Sequence, residues 1–168
     1  GAGSVGVYAQ NSNGGVQVQS GKALGSGAVE AFAQGDVSIT STTAKGLANF
    51  SVAGLSLGGK VTIDSGTATS TGGGTLGVAG FAAGDVSITS GTASTSGDVV
   101  VGTGARAGTE AVAFGVAGVS QTGSVTIDST TVSTTGIFAP GIYAEAHQGN
   151  VTLTSGAELS FPLVGDSL

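Results

Sequence analysis

Cysteine, methionine and tryptophan are absent from this chain of 168 residues, and proline occurs only twice. Without cysteine there is no disulfide framework and no thiolate metal site. Lysine and arginine total four against ten aspartates and glutamates, for a net charge of −6. So few cations do not suit nucleic acid or an anionic membrane surface, since both require basic patches. No run of 18 apolar residues occurs, so no membrane-spanning helix is written here. No basic-then-apolar leader opens the chain either. The chain starts at Gly1 in mid-pattern, as expected of a processed or excised piece of something longer.

Aromatic residues are also scarce, two Tyr and six Phe, too few for a conventional globular core. Mean hydropathy is nevertheless +0.38. Small and β-branched residues carry it: Ala, Val, Ile and Thr. Disorder needs low hydrophobicity and high charge, and neither is present. Glycine is abundant, at 33 residues, but it does not fall at every third position, which excludes collagen.

What is present is self-similarity. GDVSITS occurs word for word at 35–41 and 84–90. Looser copies centre on valines 16, 37, 61, 86, 125 and 151, spaced by 21, 24, 25, 39 and 26 residues. The long gap holds GDVVV from Gly97, which reads as an extra copy, so one turn carries an insertion of about half a repeat. A second motif precedes each first one: VYAQNSNG, VEAFAQG, VAGLSLG, VAGFAAG, VAGVSQTG and IYAEAHQG. A Thr/Ser-rich stretch follows, as in SGTATSTG from Ser65. Every segment alternates with period two, and glycine with β-branched residues disfavours helix. A repeat of about 25 residues built from three short strands and tight corners predicts an all-β parallel β-helix of six to seven coils. The chain is expected to form one domain over 1–168, with an irregular coil around 92–115.

Stacked coils place equivalent residues in columns. Val16, Val37, Val61, Val86, Val125 and Val151 form one inner column; Val18, Ile39, Ile63, Ile88, Ile127 and Leu153 form the next. Val7, Val29, Val52, Val78, Val116 and Ile142 form a third, with Ala or Gly two residues on. That assignment sends Phe32, Leu55, Phe81 and Val119 outward, beside a flatter column of alanines that ends in Tyr143. These five are the candidate lateral interaction face. The opposite register, with the phenylalanines in the core, is the competing reading of the same alternation. Asp36, Lys60 and Asp85 share a corner column and are candidates for a charge ladder between coils.

Chemistry finds little purchase. His147 is the single histidine, and no metal-ligand spacing surrounds it. No Gly-x-Ser-x-Gly and no nucleophile–base pair are visible. Gly-x-Gly-x-x-Gly at Gly72, Gly74 and Gly77 is an accident of glycine content with no helix after it. Thr67 with Thr69, Thr92 with Ser94 and Thr131 with Ser133 suggest a hydroxyl array of the ice-binding kind, though an irregular one. No catalytic residue, cofactor or metal is expected.

GIYAEAHQGNVTLTSG at 141–156, with GVAGFAAGDVSITSG at 77–91, resembles the passenger repeats of bacterial autotransporters and related large surface adhesins. The resemblance covers nearly the whole chain and specifies a coil template rather than a site. It implies a right-handed parallel β-helix, secretion to the cell surface or beyond, and roles in adhesion, aggregation or biofilm. Two classes of function follow. One is an adhesin passenger segment that contacts host or neighbouring cells. The other is a subunit that stacks head to tail into an extracellular filament, for which the absence of an obvious cap at either end speaks. Self-association, end to end or lateral, is expected in both, without membrane insertion by this segment.

Overall fold

The computed structural model describes residues 3–48, 50–72, 75–96, 100–101, 110–111, 113–135 and 139–160. All regular elements among them are strands. Six short strands stack in one parallel sheet: β1 (Val5–Asn11), β3 (Gly27–Ala33), β5 (Phe50–Ser56), β7 (Leu76–Ala82), β11 (Phe114–Ser120) and β13 (Ile142–Ala146). Six ten-residue strands stack in a second: β2 (Val16–Gly25), β4 (Val37–Gly46), β6 (Val61–Ser70), β8 (Val86–Thr95), β12 (Val125–Thr134) and β14 (Val151–Ser160). The chain alternates between the sheets, one strand in each per coil. The result is a parallel β-solenoid of six stacked rungs, about 5 turns from the first rung to the last, slightly fewer than the six to seven coils expected.

The pairing is like on like. Val37 lies between Val16 and Val61, and Ile63 between Ile39 and Ile88. Val52 lies between Val29 and Val78. These columns close the core, where Val61, Ile63, Val78, Val86 and Ile88 are all at most 1% exposed. Large and small residues share each level. A Cβ on Gly80 would sit 3.0 Å from a Val86 methyl, and one on Gly54 would sit 3.0 Å from a Val61 methyl. A narrow interior is thus filled without aromatic side chains.

Three strands per coil become two because the longer one folds without breaking. In β6, Val61, Ile63 and Ser65 point inward, Gly66 and Thr67 are both exposed, and Ala68 and Ser70 point inward again. The ladder skips residue 66: Ser41 pairs with Ser65, then Thr43 with Thr67. Two successive outward residues reverse the alternation, and the strand turns a corner there. The expected Thr/Ser-rich third strand is the second leg of this element.

The described part of the extra copy around GDVVV, Val100 and Val101, joins neither parallel ladder. Gly97, Asp98 and Val99 lie outside the described residues. β9 (Val100–Val101) pairs antiparallel with β10 (Glu110–Ala111), apart from both parallel ladders. β8 pairs directly with β12 and β7 with β11, so the insertion is bypassed in the stack.

Through β12 neighbouring coils are not identical; they alternate. Val37 follows Ala33 by four positions and Val86 follows Ala82 by four, whereas Val61 follows Ser56 by five and Val125 follows Ser120 by five. VSITS likewise alternates with VTIDS through β4, β6, β8 and β12. The verbatim GDVSITS therefore marks a two-coil unit. In the longer corners, Ser56 Oγ donates to Gly35 O at 2.7 Å and accepts from Gly59 N at 2.8 Å. Ser120 repeats both bonds with Gly84 O at 2.7 Å and Gly123 N at 2.8 Å.

Among the described residues, one interior polar column is left without hydrogen bonds. Ser41, Ser65, Ser90 and Ser129 are stacked in register, 1–2% exposed, and their hydroxyls have no hydrogen-bond partner. Such a group carries its desolvation cost uncompensated, about 1–3 kcal/mol. Ser65→Ala is therefore expected to raise stability by about 1 kcal/mol in urea denaturation. A drop of that size would show that the hydroxyl has a partner.

Candidate functional site

The outer side of the short-strand sheet carries three columns. Phe32, Leu55, Phe81 and Val119 are half-buried, in register, and lie outside the hydrophobic core. They point away from the interior, on the side opposite Val29, Val52, Val78 and Val116. Beside them Ala53, Ala79 and Ala117 are 9%, 0% and 2% exposed, yet they too stand outside the core. Their burial comes from taller neighbours on the same face.

The second tall column is Phe50, Leu76 and Phe114, paired across β5, β7 and β11. Strict alternation from the valines assigns these residues inward, and for that reason the sequence did not disclose them. The strand instead turns two successive residues inward: Ser51 and Val52 are both 0% exposed, and the ladder steps from Phe50↔Leu76 to Val52↔Val78. A Cβ on Gly115, the equivalent of Ser51, would strike the core side chain of Val132 at 2.3 Å. The doubled inward position swings Phe50, Leu76 and Phe114 to the outside. The only legible signal was the small residue before each inner valine: Ala28, Ser51, Gly77 and Gly115.

The face is therefore a groove floored by alanine, with an apolar ridge on each side. Tyr143 pairs with Ala117 in the floor column and stacks on Phe114, ring centroids 5.0 Å apart, which closes one end. Glu30 and Tyr8 occupy the other end, where Tyr8 packs against Phe32 at 5.7 Å. Shallow hollows continue along the outer ridge, lined by Gln10, Phe32, Leu55 and Leu57, then by Leu57, Phe81, Val119 and Gln121. Leu57 is 65% exposed.

Among the described residues, charge on this face sits at its ends. Glu30 lies over Gly27, and a Cβ on Gly27 would meet its Oε1 at 2.0 Å. Burial holds the Glu30 carboxyl above its ordinary pKa. At the far end the Tyr143 hydroxyl donates to Glu145, and His147 Nε2 lies 2.8 Å from Glu145 Oε1. The hydrogen bonds from Tyr143 and His147 lower the Glu145 pKa, and the same bond to Glu145 raises that of Tyr143.

Asp36, Lys60 and Asp85 do share a corner column, but the contacts between rungs are carboxylate to amide. Asp36 Oδ1 accepts the Lys60 N–H at 3.0 Å, and Asp85 Oδ1 accepts the Ser124 N–H at 2.8 Å. Ser124 Oγ continues the pattern by accepting the Asn150 N–H at 3.1 Å. Lys60 has no side-chain acceptor, and among the described residues no ion pair joins it to either aspartate. The carboxylates need the glycines above them: a Cβ on Gly59 or Gly123 would stand 2.4 Å from Asp36 Oδ1 or Asp85 Oδ1.

On the folded second leg, Thr43, Thr67, Thr92 and Thr131 form one regular column. Thr69, Ser94 and Ser133 run beside it, and Lys22 and Lys45 end the array. Among the described residues, no three His, Cys, Asp or Glu side chains are grouped to hold a metal ion. No helix there is long and apolar enough to cross a membrane.

No family model, curated protein or solved structure matches this chain. The likeness to autotransporter passenger repeats thus rests on the repeat motif, to which the structure adds the parallel β-solenoid.

Two substitutions check these assignments. Asp85→Ala removes the acceptor for Ser124 and is expected to cost about 1 kcal/mol in urea denaturation, whereas Asp85→Asn retains most of it. Equal losses would place the effect in charge rather than in the cap. Glu30 binds its proton more tightly folded than unfolded, so its ionised form disfavours folding as pH rises through the folded pKa. Glu30→Gln is expected to raise the neutral-pH melting temperature and to lose that advantage below the unfolded carboxylate pKa. A gain independent of pH would contradict this.

Proposed function

We propose that the chain is a non-enzymatic structural and adhesive β-solenoid of the bacterial cell surface or extracellular space, of the autotransporter-passenger kind, acting through its outer faces. The observation that carries this reading is the three-column apolar face of the short-strand sheet. Contiguous exposed apolar surface of this sort marks interaction sites. Among the described residues no other element lies over it. The regular stack supports the same reading, because a solenoid presents one face at a fixed spacing over any number of rungs. Export to the cell surface comes from the motif resemblance, and the low content of basic residues is consistent with it.

A second reading, a subunit that stacks head to tail into a filament, draws on β14. Val151 and Leu153 are 45% and 51% exposed there, while Val125 and Ile127 in the preceding rung are 0% exposed. Among the described residues no further strand pairs beyond β14, and its inner columns and strand edge are suited to receive a further rung of the same register. Filaments in negative-stain micrographs are its expected signature.

The adhesive reading is checked with beads coated with the protein, scored for adherence to one another and to a bacterial cell layer. Phe81→Asp is expected to cut adherence by at least about tenfold, as for loss of a central aromatic contact, with the β-sheet circular dichroism unchanged. Unchanged adherence would remove this face from the function. Loss of the sheet spectrum would place Phe81 in the core.

A further inference from the structure

We infer that the occupant of the alanine-floored groove is a second copy of this chain, lying parallel to the first, with the outer ridge of each copy seated in the groove of the other. The inference rests on the outer face being a contact surface and names its partner.

In each middle rung a small outward residue stands two positions from a large one: Ala53 by Leu55, Ala79 by Phe81, Ala117 by Val119. The small and large columns are therefore roughly 7 Å apart, and both run along the solenoid axis with the rung spacing of about 4.8 Å. A ridge that fits the groove over several rungs must carry the same period. The ridge of another copy does so by construction, whereas a helix or an extended chain laid along the axis does not.

Symmetry selects the arrangement. A two-fold axis parallel to the solenoid axis, between the two columns, sets Leu55 of one copy over Ala53 of the other, Phe81 over Ala79 and Val119 over Ala117, and the reverse contacts follow. A two-fold axis along the strands sets ridge on ridge, large against large. Charge agrees: none of the outward residues of the three middle rungs on this face is ionisable. Over these three rungs two chains of net charge −6 meet without bringing like charges together, and Glu30 and Glu145 fall at the two ends of the contact.

Area sets the strength. The two-fold axis superposes about five residues of each strand, so six rungs at about 4.8 Å by five residues at about 3.3 Å give roughly 475 Å² per copy, or about 950 Å² in all. That is below the roughly 1,200–2,000 Å² that a stable complex buries, in the range of weak and transient contacts. A weak, reversible pair is expected in solution, and a firmer one where rods stand side by side on one surface and the effective concentration is high.

Sedimentation from micromolar to millimolar concentration tests the pairing, with Phe81→Asp and Ala79→Leu as variants and circular dichroism as the check on folding. Reversible dimers are expected, weakened about tenfold or more by either change. Ala79→Leu is the sharper case because it adds apolar surface while filling the groove. If it strengthens association, ridge-in-groove pairing is overturned and only a generally sticky contact face survives. If Ala79→Leu loses its sheet spectrum, Ala53→Leu asks the same question one rung away. A monomer at all concentrations, with adherence of coated beads intact, overturns the second copy as partner while leaving the contact face. Orientation is read from spin labels, since the chain has no native cysteine. With Ser12→Cys and Gln121→Cys, like-labelled pairs give shorter distances than mixed pairs if the rods are parallel. The reverse order would overturn the parallel geometry.

Discussion

Every feature of this molecule depends on one constraint: each rung must lie directly over the one before it, in register, at about 4.8 Å. A residue in a column then meets residues of the same column above and below. Corner backbone bonds fix the stack where the chain leaves the short sheet, as from Val37 N to Lys60 O, Val61 N to Asp85 O and Val86 N to Ser124 O, each at 2.9 Å. A slip by one residue would turn the valine and isoleucine columns to solvent. The core is therefore held by repetition rather than by bulk, and a chain without tryptophan or methionine can close it.

The same constraint governs what interrupts the repeat. Of the extra chain between β8 and β11, the described residues Val100–Val101 and Glu110–Ala111 pair antiparallel with each other and join neither ladder, where β8 pairs with β12 and β7 with β11. Extra residues at corners are accommodated in alternate coils, where Ser56 and Ser120 tie the longer loop to the rung below and Asp36 and Asp85 tie the shorter one to the rung above. Repetition also multiplies any outward feature. One alanine beside one phenylalanine is unremarkable, but the pair repeated over successive rungs becomes a groove and a ridge.

The parallel solenoid, its inner columns and the outward course of Phe32, Leu55, Phe81 and Val119 were legible in the sequence because strict period-two alternation carries them. Legibility failed where alternation is broken. At Gly66 two successive residues face out, so one bent strand reads as two. At Ser51 and Val52 two successive residues face in, so strict alternation does not disclose the outward Phe50, Leu76 and Phe114. At the corner of Asp36, Lys60 and Asp85, residue type suggested a charge ladder, and backbone amides take the carboxylates there. Side-chain charge is visible in a sequence; the unpaired amide it caps is not.

The register of the short strands carries both the core and the contact face, and thiol accessibility measures it directly. The chain has no native cysteine, so one introduced thiol reports one position. Phe81→Cys is expected to react with a polar maleimide in the native protein at close to the unfolded-chain rate. Val78→Cys, in the inner column, is expected to react only after denaturation. Rapid native labelling at residue 78 together with protection at residue 81 would contradict the account, since it would place the valines outside and the phenylalanines in the core.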